Sequence, residues 1–123
     1  MVALALGMRE RAYAPYSHYQ VGAALLDDQG RVFTGCNVEN ISYGLTICAE
    51  RTAIVKMVSE GGRRIRGLAV ATRDGGTPCG MCLQTIAEFA EGDLGIICVS
   101  EDGSRQEFTL ADLLPHRFKT DLG

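Results

Sequence analysis

The chain has 123 residues, 12 Lys and Arg against 15 Asp and Glu, a net charge of -3, and 46% apolar residues. That is the size of one domain with enough apolar material for a core, and the composition argues against a disordered chain. The acidic balance and the lack of a basic run argue against a large nucleic-acid-binding face. No apolar run is long enough to span a membrane. The opening MVALALGMRE is too short and too soon charged for an export signal, so a cytoplasmic location is expected.

Taken in chain order, the pattern predicts a helix over 3–14, stopped before Pro15. Strands at 21–26 and 31–36, joined by DDQG, read as a β-hairpin. Helical spacing resumes over 47–59, where Ala49, Ala53 and Met57 form one row and Ile54 and Val58 a second. Gly61 and Gly62 stop that helix. A buried strand is expected at 68–72 and a helix at 79–90 behind Pro78. Strands close the pattern at 95–100 and 106–110. Strand and helix alternate after the hairpin, which predicts an α/β domain with a partly parallel sheet. No linker or repeat interrupts the chain, so residues 1–123 are expected to form a single domain.

The chemistry concentrates in cysteine. There are five, Cys36, Cys48, Cys79, Cys82 and Cys98, against only two histidines, His18 and His116. An odd number without an export signal points to metal binding or inert burial before a disulfide framework. Cys48 opens one predicted helix, and Cys79 and Cys82 lie in the first turn of another. Helices that follow neighbouring parallel strands start at the same edge of the sheet, where the three thiols can converge. Helix N-termini favour thiolate. Three thiolates suit zinc and leave a fourth position for water. The alternative is a structural zinc completed by Cys36 or His18. Cys98, inside IICVS, reads as a small buried hydrophobe, and Cys36 as either core or pocket wall. Glu50 favours a catalytic site: side chains lean toward the helix N-terminus, so its carboxylate can stand beside the metal-bound water without binding the metal.

Several stretches carry a family likeness. CAERTA at 48–53, TPCGMCLQ at 77–84, AYAPYSHYQVGAALL at 12–26, GCNVENISYG at 35–44 and LLPHRF at 113–118 occur in one order along nearly the whole chain. Together they resemble the zinc-dependent cytidine deaminases, especially the short enzymes that act on free nucleosides. The resemblance implies a three-layer α/β fold: a mixed five-stranded sheet with an N-terminal hairpin and helices on both faces. It implies one zinc on Cys48, Cys79 and Cys82, with Glu50 moving protons as water attacks carbon 4 of cytosine. Asn37 and Glu39 match residues that bind the ribose hydroxyls, Tyr19 an aromatic of the nucleoside pocket, and Ala49 a residue offering backbone contacts to the base. Taken singly, Asn37 reads as a turn residue, Glu39 as a surface charge and Tyr19 as core. Arg51 resembles an arginine that donates to the thiolates. Phe118 matches an aromatic that enters a neighbouring subunit's pocket, which implies a homotetramer.

The implied activity is hydrolytic deamination of cytidine and 2'-deoxycytidine, as in pyrimidine salvage. One position departs from the pattern. The family commonly has a second arginine directly after the last zinc cysteine, and here that residue is Leu83. A weaker positive field at the thiolates, and wider tolerance at the pyrimidine 4-substituent, are the expected consequences. Alternatives are a deaminase of a modified cytosine nucleoside or nucleoside antibiotic, and a zinc-stabilised binding protein without turnover. Glu50 speaks against the latter. The short acidic chain speaks against a polynucleotide substrate.

Overall fold

The computed structural model of the chain describes residues 1–118. One five-stranded sheet organises them, in the order β2-β1-β3-β4-β5. Strands β1 (Gly22–Asp27) and β2 (Val32–Cys36) form the expected hairpin. Strand β3 (Ile65–Ala71) pairs antiparallel with β1 and parallel with β4 (Gly95–Val99). Strand β5 (Arg105–Thr109) closes the far edge antiparallel to β4.

The register explains how helices come to cover both faces. Phe33, Leu25, Leu68, Ile96 and Phe108 lie opposite one another across all five strands. This large apolar row meets helices α2 (Ala49–Ser59) and α3 (Gly80–Phe89) through Ala53, Ile54, Met57, Leu83 and Ile86. The adjacent row points the other way. It presents small residues, Ala24 and Ala69, and with Ala71 and Val99 it packs on Ala5 of α1 (Val2–Met8). The three-layer arrangement expected from the sequence is present.

Three local expectations need correction. The first helix does not run to residue 14: α1 gives way to a 3-10 turn at Arg9–Arg11. Tyr13 is engaged elsewhere, donating to Asn37 O at 3.0 Å and accepting from Glu39 N at 2.8 Å. Leu110 does not end the last strand but begins a short helix, α4 (Leu110–Leu113). A capping box starts it: Thr109 Oγ1 accepts from Asp112 N at 3.2 Å, and Asp112 Oδ2 accepts from Thr109 N at 2.9 Å. Finally, α2 and α3 do not follow neighbouring strands. They follow β2 and β3, with β1 inserted between. Because β1 is antiparallel to both, β2 and β3 still share a direction, and both helices begin at the same end of the sheet.

Candidate active site

The two helices start two residues and one residue later than predicted, and the difference matters. Cys48 and Cys79 are the N-cap residues of α2 and α3, in extended conformation (φ -74°, ψ 156° and φ -71°, ψ 168°). N-caps usually carry Ser, Thr, Asp or Asn, whose oxygen accepts from the first helical N–H groups. Neither cysteine makes such a bond, so both sulfurs are available to another partner. Cys82, within the first turn of α3, is fully buried behind them.

The Sγ atoms of Cys48, Cys79 and Cys82 lie within 4.8 Å of one another, and they form the one such cluster among the described residues. Cys48 and Cys79 are 3.9 Å apart, and Cys79 and Cys82 are 3.3 Å apart. Tetrahedral zinc with Zn–S bonds of about 2.3 Å requires sulfurs roughly 3.8 Å apart. The donor set therefore fits one zinc and leaves a coordination position for a small ligand. Neither Cys36 nor His18 joins it. Cys36 donates to Arg11 O at 3.4 Å, and burial pushes its thiol up. Burial likewise pushes Cys98 up to about 11, as suits an inert core thiol.

Close packing positions α2 against β2. Thr52 Oγ1 donates to Cys36 O at 3.0 Å, tying the first turn to the strand end. Gly35 makes the approach possible: a β-carbon there would sit 2.5 Å from Ala49 O and 2.6 Å from Ala53 N. Charge at the cluster is uneven. Hydrogen bonding from Cys82, then from Arg51, pulls the Cys48 thiol down to about 5, while Cys82 is held up as the donor. Arg51 Nη2 donates to Thr46 O at 2.9 Å and lies 4.0 Å from Cys48 Sγ. Its Nε is buried without a partner. Glu50 is 3% exposed. Burial, with the charge on Cys48, pushes its carboxyl up to about 7.

A cavity of about 270 Å³ opens onto this cluster. Its lining includes Tyr19, Asn37, Glu39, Cys48, Ala49, Glu50 and Cys79. A larger groove, about 580 Å³ along Gly92, Asp93, Leu110, Ala111 and 114–117, holds no such ligand cluster among the described residues. Residues 1–98 match the family described as the cytidine and deoxycytidylate deaminase zinc-binding region. The chain belongs to that family. It is 49% identical over 117 residues to the cytidine deaminase of Sporosarcina psychrophila, covering 93% of this chain and 86% of the relative. Identity to the cytidine deaminase of Halalkalibacterium halodurans is 47% over 119 residues, covering 95% and 90%. The crystal structure of cytidine deaminase from Burkholderia pseudomallei matches with a TM-score of 0.89 at 42% identity, covering 95% of each chain.

Within this deaminase, the polar wall is more heavily engaged than its sequence suggests. Asn37 Oδ1 accepts from Val21 N at 2.9 Å, and its Nδ2 donates to Tyr19 O at 2.8 Å. Glu39 accepts from Tyr16 N at 2.9 Å, from Ser17 N at 3.1 Å and from the Ser17 hydroxyl. The Ser17 hydroxyl leads in holding the Glu39 carboxyl below its ordinary value. Both residues thus organise the loop before β1 as well as lining the cavity. Of the expected site residues, Cys82, Arg51 and Phe118 do not line the cavity: Cys82 lies buried in the cluster, Arg51 sits beside Cys48, and Phe118 belongs to neither cavity nor cluster. Phe118 is 77% exposed, while Gln84 grips its backbone, donating to Phe118 O at 3.0 Å and accepting from Phe118 N at 3.3 Å. Leu83 is buried in the main core and contributes apolar packing there. Sequence reading missed Thr72 and Gly76, which with Thr77 and Pro78 complete the wall beside Cys79. Their only signal was a strand end followed by Asp and glycines.

Proposed function

We propose that the chain is a single catalytic domain that hydrolyses cytidine and 2'-deoxycytidine to the corresponding uridines and ammonia, in pyrimidine salvage. The observation that carries this reading is the buried Glu50 carboxyl in the same cavity as the sulfur cluster. A purely structural zinc has no use for such a group. Cys48, Cys79 and Cys82 would hold the metal. When bound, zinc supplies the Lewis acidity that makes water nucleophilic near neutral pH. Glu50 takes the proton from the attacking water, passes it to the ring nitrogen next to carbon 4, and later helps protonate the departing ammonia. A carboxyl held in the cavity beside the cluster can both take up and return a proton. Arg51 stabilises the anionic thiolates. Asn37 and Glu39 hold the ribose, Tyr19 flanks the ring, and the Ala49 backbone orients the base. Phe118, exposed but fixed at its backbone, reaches a neighbouring subunit's cavity in a homotetramer. A cytoplasmic location goes with this reading, because a site of three thiolates needs its cysteines kept reduced.

The Glu50→Gln variant tests this directly. It should keep about one zinc per chain and its fold, while kcat falls by about 100- to 10,000-fold. Full turnover by the variant removes Glu50 from the mechanism. Turnover unaffected by complete zinc removal removes the metal. Leu83 leaves the thiolates one cation short of the usual family set, which favours tolerance of altered 4-substituents. A panel of nucleosides varied at that position, assayed for the released amine, separates cytidine from modified nucleosides as the preferred substrate.

A further inference from the structure

The cavity wall contains a hydrogen-bonded chain that the proposed chemistry does not use. Tyr19 lies in the loop before β1, and its hydroxyl donates to Asp74 Oδ1 at 2.7 Å, across 55 positions of sequence. Asp74 is held before Tyr19 reaches it. The same oxygen accepts from Thr72 Oγ1 and from Gly76 N, each at 3.3 Å. The Asp74 backbone bridges to Ser100, just beyond β4. Thr72, buried at the end of β3, also accepts from Gly75 N at 2.7 Å and Gly76 N at 2.9 Å. The fit around the hydroxyl is close: a β-carbon on Gly76 would lie 3.1 Å from Tyr19 Oη. The Arg73 guanidinium sits 5.6 Å from the Tyr19 ring centroid.

We propose that Asp74 is a positioning residue. Through the Tyr19 hydroxyl, it fixes the aromatic wall of the substrate cavity to the segment that delivers Cys79. The inference rests on reading the cavity as a nucleoside site. The Tyr19 loop needs such a restraint. His18, immediately before it, holds φ at 58°, in the left-handed region that side chains other than glycine seldom occupy. Strained backbone persists when its surroundings over-determine it. A carboxylate acceptor gives a charge-assisted bond, stronger than a neutral one. The Tyr19 proton is committed to Asp74, so the ring, not the hydroxyl, is what the nucleoside meets. A wall fixed in advance lowers the ordering that binding must impose.

The test compares Tyr19→Phe, Asp74→Ala, Asp74→Asn and the Tyr19→Phe/Asp74→Ala double variant in zinc-loaded enzyme. KM and kcat for cytidine, thermal midpoint and zinc content are measured for each. Cytidine binding is also read without turnover, by calorimetry in the Glu50→Gln background. Loss of the tie should raise KM by about 3- to 10-fold, below the full worth of a charge-assisted bond because this one is open to solvent, with kcat changed less than about twofold. The double variant should be no worse than the worse single, because both remove one interaction. Asp74→Asn retains an acceptor and should rescue most of the loss. KM unmoved by Tyr19→Phe, or losses that multiply in the double variant, overturns the proposal. So does an Asp74→Ala effect that tracks a fall in thermal midpoint while Tyr19→Phe is silent. A parent enzyme that neither turns over nor binds cytidine overturns the nucleoside reading and the wall's role with it, and does so before any variant is compared.

Discussion

Asp27 carries its charge at a fully buried position, where the hairpin turns. Burial alone would raise its pKa, but Arg31 N and Gln29 N donate to it at 2.7 and 3.0 Å, and Arg31 Nε donates at 2.9 Å. These bonds outweigh burial and hold the carboxyl below its ordinary 3.8. A group whose folded pKa is depressed contributes stability above its unfolded pKa and loses it as pH falls through the folded value. The protein should therefore lose thermal stability with acidification below about pH 4, the ordinary carboxylate value. Asp27→Asn should lower the melting temperature at pH 7 and flatten that acid limb; a variant with a parallel pH profile would refute the assignment. Leu83 offers a second residue-scale experiment. Leu83→Arg should move the acid limb of the kcat/KM profile to lower pH by about one to two units, the worth of one charge-assisted hydrogen bond. Coincident profiles would end the electrostatic reading of Leu83. Residues of scarce chemical type were legible in the sequence: Cys48, Cys79 and Cys82 stand out at helix starts, whereas Glu50 alone reads as a solvated helix charge and takes its meaning from Cys48 two residues before it. Thr72 and Asp74 did not, because a turn of Thr, Asp and Gly reads the same whether or not a distant tyrosine lands on it.

At the scale of elements, the site depends on how closely α2 lies on β2. Gly35→Ala places a methyl group against the backbone of Ala49 and Ala53, which cannot move independently of the helix. The expected result is destabilisation of about 1–3 kcal/mol, as for overpacking. Because Cys48 caps that helix, zinc content should fall as well; unaltered metal content measured on the folded variant would show that the helix tolerates the shift. The helices and the hairpin were legible from periodicity and turn chemistry. What periodicity could not convey was strand order. Placing β1 between β2 and β3 leaves every local pattern unchanged, since insertion of an antiparallel strand alters pairing and not the apolar alternation of the strands themselves. Boundaries moved for an equally physical reason. Backbone groups at Tyr13 and Leu110 found partners outside the continuing element: Tyr13 pairs with Asn37 and Glu39, and Leu110 N donates to Leu94 O at 2.8 Å.

For the molecule as a whole, the test of shared sites is mixing. Phe118→Ala supplies intact Glu50 but no aromatic, and Glu50→Gln supplies the reverse. If the proposed sharing holds, each alone should be impaired, whereas co-refolded mixtures should recover activity. Co-purification of differently tagged chains checks that mixed assemblies have formed, and mixtures no more active than the sum of their parts would confine each site to one chain. The sulfur geometry also governs how the protein must be handled. Cys79 and Cys82 lie 3.3 Å apart, little more than an ångström beyond a disulfide bond of about 2.05 Å, and Cys79 is exposed. Bound metal occupies both thiolates and shields them. Chelation in air therefore invites oxidation of the pair to cystine, with oxygen as electron acceptor, after which added zinc meets one ligand where it needs three. Metal-depleted preparations should regain activity with zinc only when a thiol reductant accompanies it, so an apparently dead sample is to be reduced before it is judged inactive.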